Sequence, residues 1–409
     1  MPSFENLLIL TIIAVLAPLL LGLVPRLRIP SVVLEIVAGV IVGPSVLGLV
    51  RVDSAVQVVA LLGLAFLLFL AGLEVDLNRL RGSLLRLALL GYVVSLAVGL
   101  LAGFSFGAAG WVLDPLLIAV ALSATSLGLV VPVLKDAGRE EEAMGQTTIA
   151  ASSVADFAAV VLLSLLFSVS GGSAGGRVVS LIVFVAFVAA IGIAVALAGR
   201  SMRLGDLFLR LQDTTAEIRV RAAVVLLVAF VVLAEGFGLE SILGAFLAGA
   251  VVGVIDRDST THPHFRTKLD AIGYGFLIPV FFVASGVQLD LSGLLEAPSA
   301  LLRVPLFLLA LLLVRGIPAL LYKRSLGTRS SLAAGLLQAT SLPFLVAASQ
   351  IGVAIGLMTP VTAAALVCAG LLSVLLFPAA ALALLRGPRS TTAAEGRHRR
   401  HRGGAAEAT

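Results

Sequence analysis

Charged residues are scarce in this sequence. They make up 12% of its 409 residues, and 60% of the residues are hydrophobic, whereas a soluble domain has roughly a quarter charged residues and under half apolar ones. This composition excludes a soluble globular protein. Apolar windows of about twenty residues recur along the chain, each long enough to cross a bilayer as a helix. Because lipid cannot satisfy backbone polar groups, the composition predicts an all-α integral membrane protein.

Cysteine and histidine are also rare, which limits metal and redox chemistry. The only cysteine, Cys368, lies inside an apolar segment, so there is no disulfide framework, CxxC pair or thiolate metal site. The four histidines fall in loops or in the C-terminal tail, a poor basis for a zinc site. We therefore expect no cofactor and no transition metal.

Excess negative charge is also absent, since the formal net charge is +5. The Arg and Lys residues sit in short loops and in the tail, as topology signals do, so we expect no nucleic-acid partner. No basic residue precedes the first apolar segment, near 4–24. That segment is therefore expected to be a retained helix and not a signal peptide.

Cutting the chain at charges, prolines and glycine clusters predicts about thirteen transmembrane spans. They lie near 4–24, 31–49, 56–73, 83–106, 111–134, 146–169, 178–199, 219–237, 239–255, 270–287, 299–321, 330–350 and 361–385. Basic residues cluster after odd-numbered spans, and only Arg51 and Arg177 fall in the other loops. Because cytoplasmic loops collect Lys and Arg, we expect a multi-pass protein of the cell membrane, with the N-terminus outside and the C-terminus in the cytoplasm.

The chain is expected to divide into a membrane domain, 1–386, and a basic tail, 387–409. The tail has several arginines and no apolar periodicity, which is typical of disorder. We expect it to be cytoplasmic, where its charge acts as a topology signal or attracts anionic lipid.

Three short strings recur in order at a nearly constant offset. The pairs are 37–39 with 247–249, 72–77 with 286–291, and 124–127 with 339–342, at offsets of 210, 214 and 215 residues. Ordered recurrence of this kind predicts fused repeats, with halves near 25–170 and 235–386. Under the span count, the two copies of the second string lie on opposite sides of the membrane. The repeats are therefore expected to be inverted in topology.

The two Ala-Thr-Ser-Leu copies are candidates for breaks in discontinuous helices. Thr125, Ser126, Thr340 and Ser341 could satisfy backbone groups that a break frees, and half-helix ends direct partial charges at an ion. Alternatively, these small residues only allow helices to pack closely.

Asp156 lies near the middle of an apolar segment. An ionised carboxylate at that depth costs roughly 2.5–3.5 kcal/mol even on a lenient insertion scale. Burial favours its protonated form and a bound cation its charged form, so a proton and a cation compete for one group. Thr125, Ser126 and Ser153, with Ser152 and freed carbonyls, could supply further oxygens to Na⁺ or K⁺. The alternative is an aspartate that is hydrogen-bonded to neighbouring hydroxyls.

Arg315 is the other ionisable candidate within the membrane. It lies about 9 Å from the cytoplasmic end at 1.5 Å per residue, so snorkelling to the interface is the alternative to a functional role. Glu35, Glu74 and Glu235 fall near span ends, where solvated or loop-paired carboxylates are ordinary.

Longer strings are more specific than hydropathy. They occupy 29–35, 43–48, 68–77, 243–249 and 278–286. These strings resemble the cation:proton antiporter-2 branch of the monovalent cation:proton antiporters, a resemblance that covers nearly the whole membrane part. It implies a homodimer whose protomers have a dimerisation part and a core, in which two broken helices cross beside an essential aspartate.

The resemblance assigns residues to that core. Asp156 matches the essential aspartate, the segment 124–126 matches the first crossing helix, and Arg315 matches a basic core position. The family usually carries Asp, Asn or Gln before its aspartate, whereas this chain has Ala155. Since Ala155 cannot titrate and Arg315 stays charged, exchange at Asp156 is expected to be electroneutral.

The expected function is secondary active antiport of Na⁺ or K⁺ against protons by alternating access. A cation channel on the same fold remains an alternative, as does proton-driven efflux of an organic cation or an ionophore complex. An intramembrane enzyme is a more distant alternative, because it would need clustered acidic or histidine residues at a membrane face.

Overall fold

The computed structural model describes residues 4–23, 30–75, 82–167, 174–199, 217–255, 264–296 and 298–385. Within these ranges every regular element is a helix. The helices are α1 (Phe4–Leu23), α2 (Ser31–Val42), α3 (Ser54–Leu73), α4 (Gly82–Ala108), α5 (Pro115–Ser123), α6 (Leu127–Asp136), α7 (Ala143–Phe167), α8 (Ala174–Gly199), α9 (Ile218–Gly236), α10 (Ser241–Ile255), α11 (Phe265–Ile272), α12 (Ile278–Val287), α13 (Leu291–Glu296), α14 (Pro298–Gly316), α15 (Lys323–Gln338), α16 (Pro343–Ala354) and α17 (Pro360–Leu385). A π-helical turn, Gly273–Leu277, joins α11 to α12, and a 3-10 turn, Ile317–Tyr322, joins α14 to α15.

Many of these helices are built for a bilayer. Eight helical segments of the described chain are long and apolar enough to cross a membrane. They are Phe4–Leu23, Ser54–Leu73, Gly82–Ala108, Pro115–Asp136, Ala143–Phe167, Phe265–Val287, Pro298–Ala354 and Pro360–Leu385. Large apolar side chains such as Leu8, Val58 and Leu101 stay exposed, as a lipid-facing surface requires. The all-α integral membrane fold is thus confirmed, while the count of thirteen spans stays a prediction.

Helix α2 is shorter than the predicted span 31–49. It ends at Val42, and Gly43 has extended backbone angles. The reason is Pro44, because a residue that precedes proline is driven out of the helical region. α2 is therefore a 12-residue helix, packed against α12 and α1.

The repeated strings meet at two equivalent helix crossings. α2 packs on α12 and α3 packs on α10, so each crossing joins one half of the chain to the other. A Cβ on Gly39 would lie 2.1 Å from the Val283 carbonyl oxygen, and one on Gly249 would lie 1.8 Å from that of Phe69. Such approaches exclude any side chain, which explains why both copies keep glycine at this point.

The partner strings supply the other side of each crossing. A Cβ on Gly286 would lie 2.1 Å from the Ile36 carbonyl oxygen, and one on Gly72 would lie 2.0 Å from that of Phe246. The two crossings thus use the same pair of strings with the halves exchanged, which is the relation that a pseudo-two-fold axis produces. This geometry confirms the internal repeat.

Other sequence predictions fall outside the described residues. They are the tail 387–409, half of the basic positions in the loops after odd-numbered spans (among them Arg26, Arg79, Arg200 and Arg257), and Asp76 and Leu77 of the second string. The location of the termini therefore stays a prediction.

Candidate functional site

Two helices are interrupted at the predicted positions. α5 ends at Ser123 and α6 begins at Leu127, while α15 ends at Gln338 and α16 begins at Pro343. In the second break, Pro343 disfavours helical backbone at the preceding residue. The first break has no proline, and there the extended segment 124–126 is held by contacts with other elements.

The two breaks cross in direct contact. The N–H of Ser126 donates to the carbonyl oxygen of Thr340 at 3.1 Å, and the Thr125 hydroxyl donates to the carbonyl oxygen of Gln338. Backbone groups that each helix loses at its break are thereby satisfied by the other break. The predicted pair of crossing discontinuous helices is confirmed.

Asp156 on α7 faces the first break. Its Oδ2 accepts from the N–H of Leu127 at 3.0 Å, and its Oδ1 accepts from the N–H of Thr125 at 3.3 Å. Leu127 is the first residue of α6, so the carboxylate caps a half-helix at its positive end. These donors stabilise the ionised form of the carboxylate.

Arg315 is directed into the protein core and not toward the interface. Its side chain is 1% exposed. Nε donates to the Thr125 hydroxyl at 2.8 Å, Nη1 donates to the Ser95 hydroxyl at 2.9 Å, and Nη2 reaches the Ala151 carbonyl at 3.4 Å. The snorkelling alternative is therefore wrong. Thr125 connects the guanidinium to the site, because its N–H donates to Asp156 while its hydroxyl accepts from Arg315.

The other predicted oxygen donors are distributed unevenly around this site. Ser126 lines the same cavity as Asp156. The Ser153 hydroxyl donates to the Ile149 carbonyl on its own helix at 2.9 Å, and the Thr340 hydroxyl bonds the Leu336 carbonyl at 3.3 Å. The N–H of Ser341 donates to the Ser373 hydroxyl. The structure thus brings Thr125 and Ser126 to Asp156, whereas Ser153, Thr340 and Ser341 lie around the site without lining its cavity.

A cavity opens from Asp156 between the two halves of the chain. It is lined by residues of α2, α3, α6, α7, α12 and α16 and includes three carboxylates, Asp156, Glu35 and Glu74. A cation that entered it would meet the carboxylate of Asp156 and the oxygens of the first break.

Two of these carboxylates were expected to be ordinary helix-end groups, and that expectation is wrong. Glu35 is 4% exposed, because it lies one turn into the short helix α2, which other helices enclose. Glu74 follows the last residue of α3, and its Oε2 is buried without a hydrogen-bond partner among the described residues. Ser31 and Glu35 both line the cavity. Their four-residue spacing, which places them on one face of a helix, was the sequence signal that could have indicated a polar face at Glu35. Glu235 is exposed, as expected.

Comparison with known proteins gives a consistent result. The family model described as "Sodium/hydrogen exchanger, transmembrane" matches residues 11–386. YjbQ of Bacillus subtilis, provisionally named a Na⁺/H⁺ antiporter, is 34% identical over 365 residues, which cover 86% of this chain and 58% of YjbQ. The Na⁺/H⁺ antiporter NhaS5 of Synechocystis is 30% identical over 339 residues, covering 80% of this chain and 45% of NhaS5. The chain therefore spans about half the length of these relatives.

A solved structure extends the comparison to the fold. The structure of the sodium proton antiporter MjNhaP1 from Methanocaldococcus jannaschii superposes with a TM-score of 0.68 at 19% identity, covering 94% of this chain and 98% of that one. The matched proteins carry the names of transporters and not of enzymes, in agreement with the sequence prediction.

Proposed function

Because this chain belongs to the sodium/hydrogen exchanger transmembrane family, we propose that it is a secondary active antiporter that exchanges Na⁺ or K⁺ for protons. In this proposal the proton and the cation compete for Asp156. The observation that carries it is the position of that carboxylate, which caps the α6 half-helix and lines a cavity. We propose a homodimer in the lipid bilayer, with the orientation that the loop charges predict.

Competition follows from the charges at the site. The N–H groups of Thr125 and Leu127 occupy one lone pair on each Asp156 oxygen, so the remaining lone pairs can take either a proton or a cation. Both neutralise the carboxylate, and an uncompensated charge is costly to move through the low-dielectric interior of a membrane. The site therefore crosses the membrane carrying one or the other, which couples the two fluxes. Arg315 holds a fixed positive charge throughout.

A pair of cavities supports alternating access. One is lined by Glu74, Lys135 and Ser153 in the first half of the chain. The other is lined by Gln288, Gln350 and Val367 in the second half. In the order given, each residue of the second cavity lies 214 or 215 residues after the corresponding residue of the first. This is the offset of the internal repeat, so the repeat relates the two cavities. Inverted repeats place such a pair on opposite sides of a membrane, as two alternating vestibules require.

The proposal predicts coupled and voltage-insensitive exchange. In proteoliposomes with an internal pH dye, addition of Na⁺, K⁺ or Li⁺ is expected to drive proton movement, and the order of rates identifies the preferred ion. Asp156 carries either one proton or one Na⁺ on the same carboxylate, so no net charge crosses the membrane in a cycle. A membrane potential imposed with valinomycin is therefore expected to change the Na⁺-driven rate by less than about twofold.

Other outcomes would reject parts of this function. Cation flux that moves no protons would indicate a channel. Proton movement that only an organic cation or an ionophore complex elicits would indicate the efflux alternative. A strong dependence of the Na⁺-driven rate on voltage would exclude electroneutral exchange.

A further inference from the structure

Glu74 stands where two cavities meet. It lines the Asp156 cavity and also a second, more polar cavity whose lining includes Lys135, Arg266 and Asp270. Leu127 lines both cavities too, but it has no titratable group. Of the described residues that line the Asp156 cavity, Glu74 is therefore the titratable one that also reaches the second cavity.

The Glu74 carboxylate has an unfilled acceptor. Its Oε2 is buried and accepts no hydrogen bond within the described chain, and an ionised oxygen in that state is costly. A proton relieves that cost. The buried oxygen thus points to a group that exchanges protons, and not to a structural ion pair.

Glu74 is also next to the half-helix that holds Asp156. A Cβ placed on Gly128 would lie 3.9 Å from Glu74 Oε2 and 3.8 Å from the Tyr274 hydroxyl. Gly128 directly follows Leu127, whose N–H donates to Asp156. The carboxylate of Glu74 and the Tyr274 hydroxyl thus overlie the first turn of α6.

The charged and titratable groups that face Glu74 come from several elements. They are Arg266 and Asp270 on α11, Tyr274 in the π-helical turn, Lys135 on α6, Asp156 on α7, Glu35 on α2 and Glu140 between α6 and α7. Both signs occur among them, so neither form of Glu74 is fixed by a single partner.

The repeat shows that the fold does not require an acid at this position. Gln288 lies 214 residues after Glu74, at the equivalent end of α12. Among the described residues, the cavity that Gln288 lines has Ser285, Ser349 and Gln350 as its other polar side chains and has no charged residue in its lining. A neutral amide thus serves the packing of this position in one half, whereas the other half has a carboxylate.

We infer that Glu74 is a proton relay between Asp156 and the second cavity. When a cation displaces the proton from the Asp156 carboxyl, the proton moves to the Glu74 carboxylate, and from there to water in the second cavity. When exchange runs in the opposite direction, the same path carries a proton from the second cavity to Asp156. Glu74 returns to its starting form in each cycle, so exchange at Asp156 stays one for one. This role rests on the proposed antiport function.

The relay is tested by comparing two exchange modes of Glu74→Gln in proteoliposomes. Na⁺/H⁺ exchange, followed with the internal pH dye, needs the relay. Exchange of radioactive Na⁺ against unlabelled Na⁺ uses the same site and the same conformational change but moves no proton. We expect Na⁺/H⁺ exchange to fall at least about tenfold and Na⁺/Na⁺ exchange to stay within about twofold of the wild type.

Three further variants complete the design. Glu74→Asp keeps a titrating group and is expected to retain more Na⁺/H⁺ exchange than Glu74→Gln. Glu235→Gln removes an exposed carboxylate and is expected to match the wild type in both modes. Glu74→Ser is a second replacement that cannot titrate. If the glutamine variant does not insert, the ratio of Na⁺/H⁺ to Na⁺/Na⁺ exchange is measured on Glu74→Ser, and the same fall in that ratio is expected.

An unchanged ratio of the two modes in the non-titrating variants would overturn the relay, whether both rates fall together or both stay at the wild-type level. Failure of the antiport function gives a different result, because the wild type itself would then show no Na⁺-driven proton movement.

Discussion

Replacing Asp156 by asparagine is expected to abolish coupled exchange while the protein still folds and inserts. Asparagine preserves the shape of the side chain, and its carbonyl oxygen can still accept one of the N–H groups from Thr125 and Leu127. Its NH₂ group cannot accept the other, which costs about 1–3 kcal/mol. The titrating charge is lost, so neither a proton nor a cation is bound, and Na⁺-driven proton movement should fall to the level of empty liposomes.

The chain offers a matched control for this substitution. Asp53 precedes α3, where its Oδ1 accepts from the N–H of Val56 at 2.9 Å and its Oδ2 accepts from the Asn6 amide at 2.9 Å. Asparagine caps helices about as well as aspartate, so Asp53→Asn makes the same chemical change away from the site. It should transport at the wild-type rate. Wild-type exchange by Asp156→Asn would contradict the assignment.

Arg315→Leu is expected to be the most destabilising single change at the site. The guanidinium supplies hydrogen bonds to the Thr125 and Ser95 hydroxyls and to the Ala151 carbonyl, which belong to the first break, α4 and α7. Leucine leaves these buried groups without that donor. Loss of a buried charged partner typically costs about 3–5 kcal/mol, a large share of the stability of a folded protein.

Thermal denaturation of the purified protein in detergent measures this effect. Arg315→Lys should be intermediate, because an ammonium group cannot reproduce the fork of a guanidinium. Arg303→Lys is the control on the same helix, since Arg303 bonds the Thr362 hydroxyl and the Trp111 carbonyl away from the crossing. If Arg315→Leu melted at the same temperature as Arg303→Lys, Arg315 would not hold the crossing together.

The sequence predicts the site where chemistry and position coincide in a local string. Asp156 is evident because an acid inside an apolar helix needs a reason. The breaks are evident because Thr-Ser recurs 215 residues apart and Pro343 follows the second copy. The partners of Arg315 could not be predicted, because Ser95 and Thr125 lie 220 and 190 residues away in sequence. No local periodicity encodes such contacts.

The burial of a residue near a span end was harder to predict from the sequence. Span counting placed Glu35 and Glu74 at the ends of spans, whereas the shortness of α2 and the enclosing helices put both beside the Asp156 cavity. The side-chain directions of small hydroxyl residues were also hidden. Ser153 lies one turn from Asp156, but its hydroxyl bonds back to its own helix, as Ser and Thr often do.

Competition at Asp156 is tested most directly by counting the protons released when Na⁺ binds to the purified protein. The measurement uses detergent-solubilised protein in weak buffer with a pH dye, at a pH where the carboxyl is protonated before Na⁺ is added. Competition at Asp156 predicts one proton released per Na⁺ bound by the wild type, and no Na⁺-dependent release by Asp156→Asn. Binding of Na⁺ to the wild type without proton release, or unchanged release from Asp156→Asn, would contradict it.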